Sequence, residues 1–219
     1  MSSHTPETIA AARAHLAAVD PAMVRIDALL PPFAWRSRPG GFPGLVRFIT
    51  EQQVSIASAA AIWARVETGL GEVTPQTVLA HDEAGLKAFG LSSPKARYTQ
   101  AIAHAHVSGA ANFDRLYELD DEAAITALTA IKGVGRWTAE VYLMMCEERM
   151  DVFPGGDLAL QEGLRMADEA ETRPGEKAIY ARSELWRPYR AVAAHMIWDY
   201  YMAVRAKLLP EPGRGPAKD

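Results

Sequence analysis

Cysteine is nearly absent from this chain: Cys146 is the only one among 219 residues. A single thiol cannot build an intramolecular disulfide framework. It also cannot supply the four sulfur ligands of a structural zinc or an iron–sulfur cluster, so the fold must rest on its core, as suits a reducing compartment. Long apolar runs are missing as well. No stretch approaches the roughly 20 apolar residues that span a bilayer, and the opening MSSHTPETIA lacks the charged-then-apolar order of a signal peptide. The expectation is a soluble cytoplasmic protein with no membrane partner. A positive excess is missing too: Lys and Arg total 23 against 27 Asp and Glu, a net charge of −4. That balance excludes a grip on nucleic acid over the whole surface, so any such footprint is local. Two short basic stretches offer one, Lys95 with Arg97 and Lys132 with Arg136, and both also fit ordinary solvated charges. The six histidines, at 4, 15, 81, 104, 106 and 195, show no metal-ligand spacing.

Hydrophobic residues make up 49% of the chain, enough for a real core in one domain or two closely packed lobes. No segment alternates like a half-buried strand for long. Instead a capping side chain precedes a proline four times, at Thr5-Pro6, Asp20-Pro21, Thr74-Pro75 and Ser93-Pro94. Each pair reads as a helix start, and apolar residues at helical spacing follow, such as Ile9, Ala12 and Leu16. From Pro43 to Leu70 the pattern predicts helix with a break near Gln53-Val54-Ser55, where Ser55 can cap a second helix. Gly90 reads as the C-terminal glycine of a helix through Phe89. The chain is therefore expected to be all-α, in about ten short helices. Its last ten residues, PEPGRGPAKD, are rich in proline and glycine and read as a disordered tail, 210–219.

The segment Leu128 to Asp157, LTAIKGVGRWTAEVYLMMCEERMDVFPGGD, is the most informative. A helix Asp121–Ala130 is predicted to end in a five-residue loop, Ile131-Lys132-Gly133-Val134-Gly135, before a second helix opens near Arg136. Glycines at 133 and 135 permit positive φ and close approach of backbone to another molecule. Amides at the start of the second helix can then bind a phosphate. A bare Gly-x-Gly more often marks an ordinary αα-turn with glycine caps.

The longer match narrows the choice. LTAIKGVGRWTAEVYLM closely resembles the hairpin of the helix-hairpin-helix base-excision DNA glycosylases, whose signature continues through Gly/Pro residues to an aspartate, here Phe153-Pro154-Gly155-Gly156-Asp157. Phe42 to Ala57 (FPGLVRFITEQQVSIA), Gly90-Leu91-Ser92 with Lys95-Ala96-Arg97, and Trp186-Arg187-Pro188-Tyr189-Arg190 resemble further elements of that family in order. The resemblance implies a two-lobed helical fold over residues 1–209. The central lobe would cover about 43–150 with the hairpin at 121–147, the second lobe 1–42 and 151–209, and the active-site cleft would lie between them. It implies double-stranded DNA with damaged bases as partner, a monomer, no cofactor, and, if bacterial, a place on the nucleoid.

Where bifunctional members carry a Schiff-base lysine after Gly-x-Gly-Arg, this chain has Trp137. An indole cannot attack C1′ of the sugar, so the resemblance is to the monofunctional, 3-methyladenine glycosylase II-like subfamily. The implied reaction is hydrolysis of the N-glycosidic bond of alkylated purines, with Asp157 stabilising the cationic sugar. Asp157 also fits a simple N-cap, and both roles can hold at once. Trp137, Trp198, Tyr142 and Phe33 are the candidate walls of a pocket for a cationic base, each of them also compatible with core packing. Lys132, Gly133, Val134, Gly135, Arg136, Thr138 and Lys95 are the candidate DNA contacts, and Gln53 the side chain that fills the gap left by a flipped base. The carbonyls of Thr129, Ile131 and Val134 correspond to a monovalent-cation position in relatives. Gly155-Gly156 departs from the bulkier residues common before the aspartate, which predicts a looser loop. Excision of another lesion or mismatched base, or a non-catalytic DNA-binding module, are the competing expectations.

Overall fold

The computed structural model describes residues 4–210. Among them there are twelve α-helices and no strand. In chain order these are α1 Pro6–Val19, α2 Pro21–Leu29, α3 Gly41–Glu51, α4 Ile56–Leu70, α5 Pro75–Leu79 and α6 Glu83–Ala88, then α7 Ser93–Val107, α8 Asp121–Thr129, α9 Arg136–Cys146, α10 Leu158–Ala167, α11 Glu176–Ser183 and α12 Arg190–Arg205. The tail expected from Pro210 onward falls, from residue 211, outside the described residues. No helix is long and apolar enough to cross a membrane among the described residues.

Helix starts follow the capping chemistry of the sequence. Thr5, Asp20 and Thr74 accept backbone N–H bonds at the starts of α1, α2 and α5, each with proline in the first turn. At the fourth site the cap is Ser92, not Ser93, so that Pro94 falls at the second helical position. The break between α3 and α4 sits where two glutamines interrupt the apolar face, and Ser55 caps α4. The two histidines of α7 differ in setting. His104 is exposed, whereas the ring of His106 stacks on Phe113 at 5.7 Å and 10°.

The chain forms two compact units, one of Arg38–Glu147 and the other of the segments through Ser37 and from Glu148. In the central unit α3 to α9 enclose Phe42, Leu45, Ile49, Trp63, Ile102, Leu128 and Leu143. In the terminal unit α12 packs against α1, α2 and α10. Its run from Arg190 to Ile197 is buried almost all round, which explains why that stretch carries so few exposed polar positions. Each fully buried leucine or isoleucine contributes about 1.5–3 kcal/mol.

Candidate active site

The hairpin of the central unit is a tight loop anchored from below. Leu128, Ile131 and Val134 are buried, and the Ile131 and Val134 amides donate to Leu128 O and Ile131 O at 3.1 and 3.0 Å. Gly133 takes φ +94, and a Cβ there would overlap the ring of Tyr98 on α7. Gly135 corrects the expectation that both glycines serve positive φ. Its φ is −86 and it is the N-cap of α9, with no side-chain capping bond and open space where a Cβ would be. The first turn of α9 thus begins with no side chain of its own over it, the arrangement in which an anion can be received.

The candidate DNA contacts of this unit separate into two kinds. Lys132 is exposed at the loop. Arg136 is exposed but ion-paired, its guanidinium bonding Glu140 at 2.9 Å and Glu122 at 2.9 Å. Thr138 is buried and its hydroxyl accepts from Gln52 Nε2 at 2.9 Å, so its side chain holds the fold together rather than facing outward. Of the three carbonyls expected at a monovalent cation, Ile131 O already accepts the Val134 amide.

Lys95 is likewise engaged within the fold. Its ammonium donates to Thr50 O at 2.9 Å and Gln52 O at 2.7 Å, the carbonyls that end α3, and burial lowers its pKa. Those bonds brace the turn that carries Gln53, which is exposed with φ +57. Beside it Val54 is 38% and Ile56 91% exposed, unusual for apolar side chains.

The four pocket candidates also divide. Trp137, in the first turn of α9, is 37% exposed. Tyr142 is fully buried, with its hydroxyl on Gly41 O at 3.2 Å and its ring against Phe48 and Phe113, so it belongs to the core and not to a pocket wall. Burial pushes its phenol well above the usual range. In the terminal unit, half-buried Phe33 and Trp198 come together on one side chain, His195, at 5.7 and 6.0 Å between ring centroids. Trp35 meets the same ring at 4.6 Å. Arg36 donates to His195 Nδ1 at 3.0–3.2 Å, which makes that nitrogen an acceptor and places the proton on Nε2. Burial, helped by Arg36 and His4, pushes the imidazole down to about 3, so the ring is neutral near pH 7.

Asp157 is the N-cap of α10. One carboxylate oxygen, Oδ1, accepts from Ala159 N at 2.8 Å and Leu160 N at 3.2 Å. The side chain is half-buried and the residues before it, Val152 to Gly155, are buried. The glycine pair does not loosen this loop as expected. Gly155 lies against the ring of Tyr180, closer than a Cβ would allow, while Asp157 N bonds Pro154 O and Gln161 Nε2 bonds Gly155 O, both at 2.9 Å. Phe153 packs on Trp186 at 5.2 Å. Cys146 offers no competing nucleophile, since burial pushes its thiol up to about 12.

Residues 46–188 match the family described as the HhH-GPD superfamily base excision DNA repair protein. The chain belongs to this superfamily. It is 32% identical to DNA-3-methyladenine glycosylase 1 of Schizosaccharomyces pombe over 74% of this chain and 76% of that one. Among solved structures, a DNA-3-methyladenine glycosidase from Bacillus halodurans superposes with a TM-score of 0.80 at 29% identity, over 94% of both chains. The S. pombe 3-methyladenine DNA glycosylase in complex with abasic DNA gives 0.76 at 27% identity, over 93% of this chain and 99% of that one. The superfamily match spans the α8–α9 pair and ends within the Trp186–Arg190 element. Tyr98, Trp35, Arg36 and His195 carry no motif signal of their own, whereas Gln52 lies in the FPGLVRFITEQQVSIA element with nothing there to point to its partner Thr138. Only the helical spacing of His195 and Trp198, three apart, hints that the two share a face.

Proposed function

We propose that this HhH-GPD protein is a monofunctional DNA glycosylase that hydrolyses the N-glycosidic bond of alkylated purines, of the 3-methyladenine and 7-methylguanine type, in double-stranded DNA. The observation that carries the reading is Asp157, a half-buried carboxylate held at the start of α10 by two amides, in a chain whose hairpin continues into Trp137 and not a lysine. The names of its relatives support the substrate class.

The chemistry follows from charge. Breaking the bond leaves positive charge on the sugar, and a fixed carboxylate stabilises it and orients the water that adds at C1′. Methylation at N3 or N7 makes the purine a cationic leaving group, so departure needs no general acid. A single aromatic ring such as Trp137, Phe33 or Trp198 facing the base favours it by about 0.5–2 kcal/mol per contact. A neutral His195 between Phe33 and Trp198 suits a cationic guest better than an imidazolium would. Lys132 and the backbone of Gly133 to Gly135 hold the phosphate of the flanking DNA, without reading sequence.

A panel of duplexes, each with one defined lesion, tests this when free base and strand scission are scored separately. Release of alkylpurine with an intact abasic strand is expected, and borohydride added during turnover traps no adduct. Scission during turnover, a trapped adduct, or release of oxidised or mismatched bases alone contradicts it.

A further inference from the structure

The first turns of α7 touch both DNA-facing features of the central unit. Lys95 reaches Thr50 O and Gln52 O with its ammonium, at 2.9 and 2.7 Å, below the Gln53 turn. Three residues on, and so on the same face of the helix, Tyr98 lies against Gly133 of the hairpin so closely that no side chain fits there. Gln52 closes the circuit, donating from Nε2 to Thr138 Oγ1 at 2.9 Å in the first turn of α9. We infer that Lys95, Tyr98 and Gln52 are positioning residues that hold the Gln53 turn at a fixed distance and angle from the phosphate-holding hairpin.

This inference rests on the reading that the turn fills the gap in the duplex while the hairpin grips phosphate. A side chain pushed into a base stack needs a rigid mount, because the stack returns the force. Gln53 sits in the left-handed region, unfavourable for a side-chain-bearing residue, and leaves it unless its neighbours hold it there. The last carbonyls of a helix have no intrahelical partner, so an ammonium bonded to two of them locks the end of α3. Charged hydrogen bonds of this kind are the strong ones. Lys95 is thus set apart from a phosphate contact by what it holds, and its loss acts only when the turn is in use.

The test compares Lys95→Met with the wild type in three measurements. Affinity for undamaged duplex reports the hairpin. Single-turnover release of 7-methylguanine from duplex reports the whole reaction, and 2-aminopurine fluorescence opposite the lesion reports entry of the turn. The variant is expected to keep undamaged-duplex affinity within about twofold, to lose about tenfold or more in single-turnover rate, the size of one lost charged hydrogen bond, and to lose the fluorescence rise. Lys95→Gln, which retains a donor, recovers part of both and stands in if the methionine variant does not fold. Unchanged rate and fluorescence overturn the inference, as does a parallel loss of undamaged-duplex affinity and rate, which marks a merely structural residue. Gln53→Gly separates the two levels. If it loses the fluorescence rise and Lys95→Met does not, the turn reading stands and the inference fails; if neither loses it, the turn reading itself has failed.

Discussion

The indole Nε1 of Trp186 donates to Asp20 Oδ2 at 2.8 Å, across 166 residues of chain. The same carboxylate caps α2 through Ala22 N and takes two bonds from Arg182, at 2.7 and 2.8 Å. Burial raises its pKa, but these donors outweigh burial and hold the group below the usual range. Trp186 is thereby fixed as the wall on which Phe153 of the Asp157 loop packs. The Asp157 loop is thus anchored by a tryptophan whose own position is set by Asp20.

Replacing Asp20 with alanine removes the α2 cap and leaves Arg182 and the buried Trp186 N–H short of partners. Breaking such a buried charged network costs about 3–5 kcal/mol. Chemical denaturation is expected to show that loss, with Asp20→Asn intermediate because it retains the cap. A loss under 1 kcal/mol for the alanine variant is incompatible with this role.

His195 predicts an acid slope. Above about pH 6.5 the ring is neutral in both folded and unfolded chains and contributes no slope. Below it the unfolded chain takes up a proton that the native state refuses until about 3, so stability falls with pH. The slope from this group is at most about 1.4 kcal/mol per pH unit. His195→Leu should flatten the melting-temperature profile between pH 6.5 and 4 relative to wild type, whereas the contribution of Asp20 is lost only at lower pH. Parallel profiles for the two proteins contradict the assignment.

The hairpin glycines predict opposite outcomes. Gly133→Val meets both a positive φ and the Tyr98 ring, and should weaken binding to all duplexes alike by tenfold or more, about 1.4 kcal/mol. Gly135→Ala meets neither obstacle, and fold stability should stay within about 1 kcal/mol. Titrations against several sequences at two salt concentrations check this. An effect of Gly133→Val confined to one sequence would show base reading instead.

Much of this was legible beforehand because it is local. Caps at Thr5, Asp20 and Thr74, the break before Ser55, the α8–α9 loop and Asp157 at a helix start are all fixed by residues a few positions apart. What was not legible depends on distant partners. Lys95 and Arg136 look alike as basic residues, yet each is committed, one to the carbonyls ending α3 and the other to Glu122 and Glu140. Tyr142 looks like a pocket wall beside Trp137, but helix phase turns it into the core. Gly155 reads as slack until Tyr180, 25 positions on, fills the space.

The most direct measurement is single-turnover release of an alkylpurine from duplex DNA by Asp157→Asn. Asparagine can keep the N-cap, so melting temperature and affinity for an abasic-site duplex should stay near wild type while the negative charge is gone. The expected result is a rate lower by about 100-fold or more. A near wild-type rate from the folded variant would contradict the central claim that this carboxylate carries the chemistry.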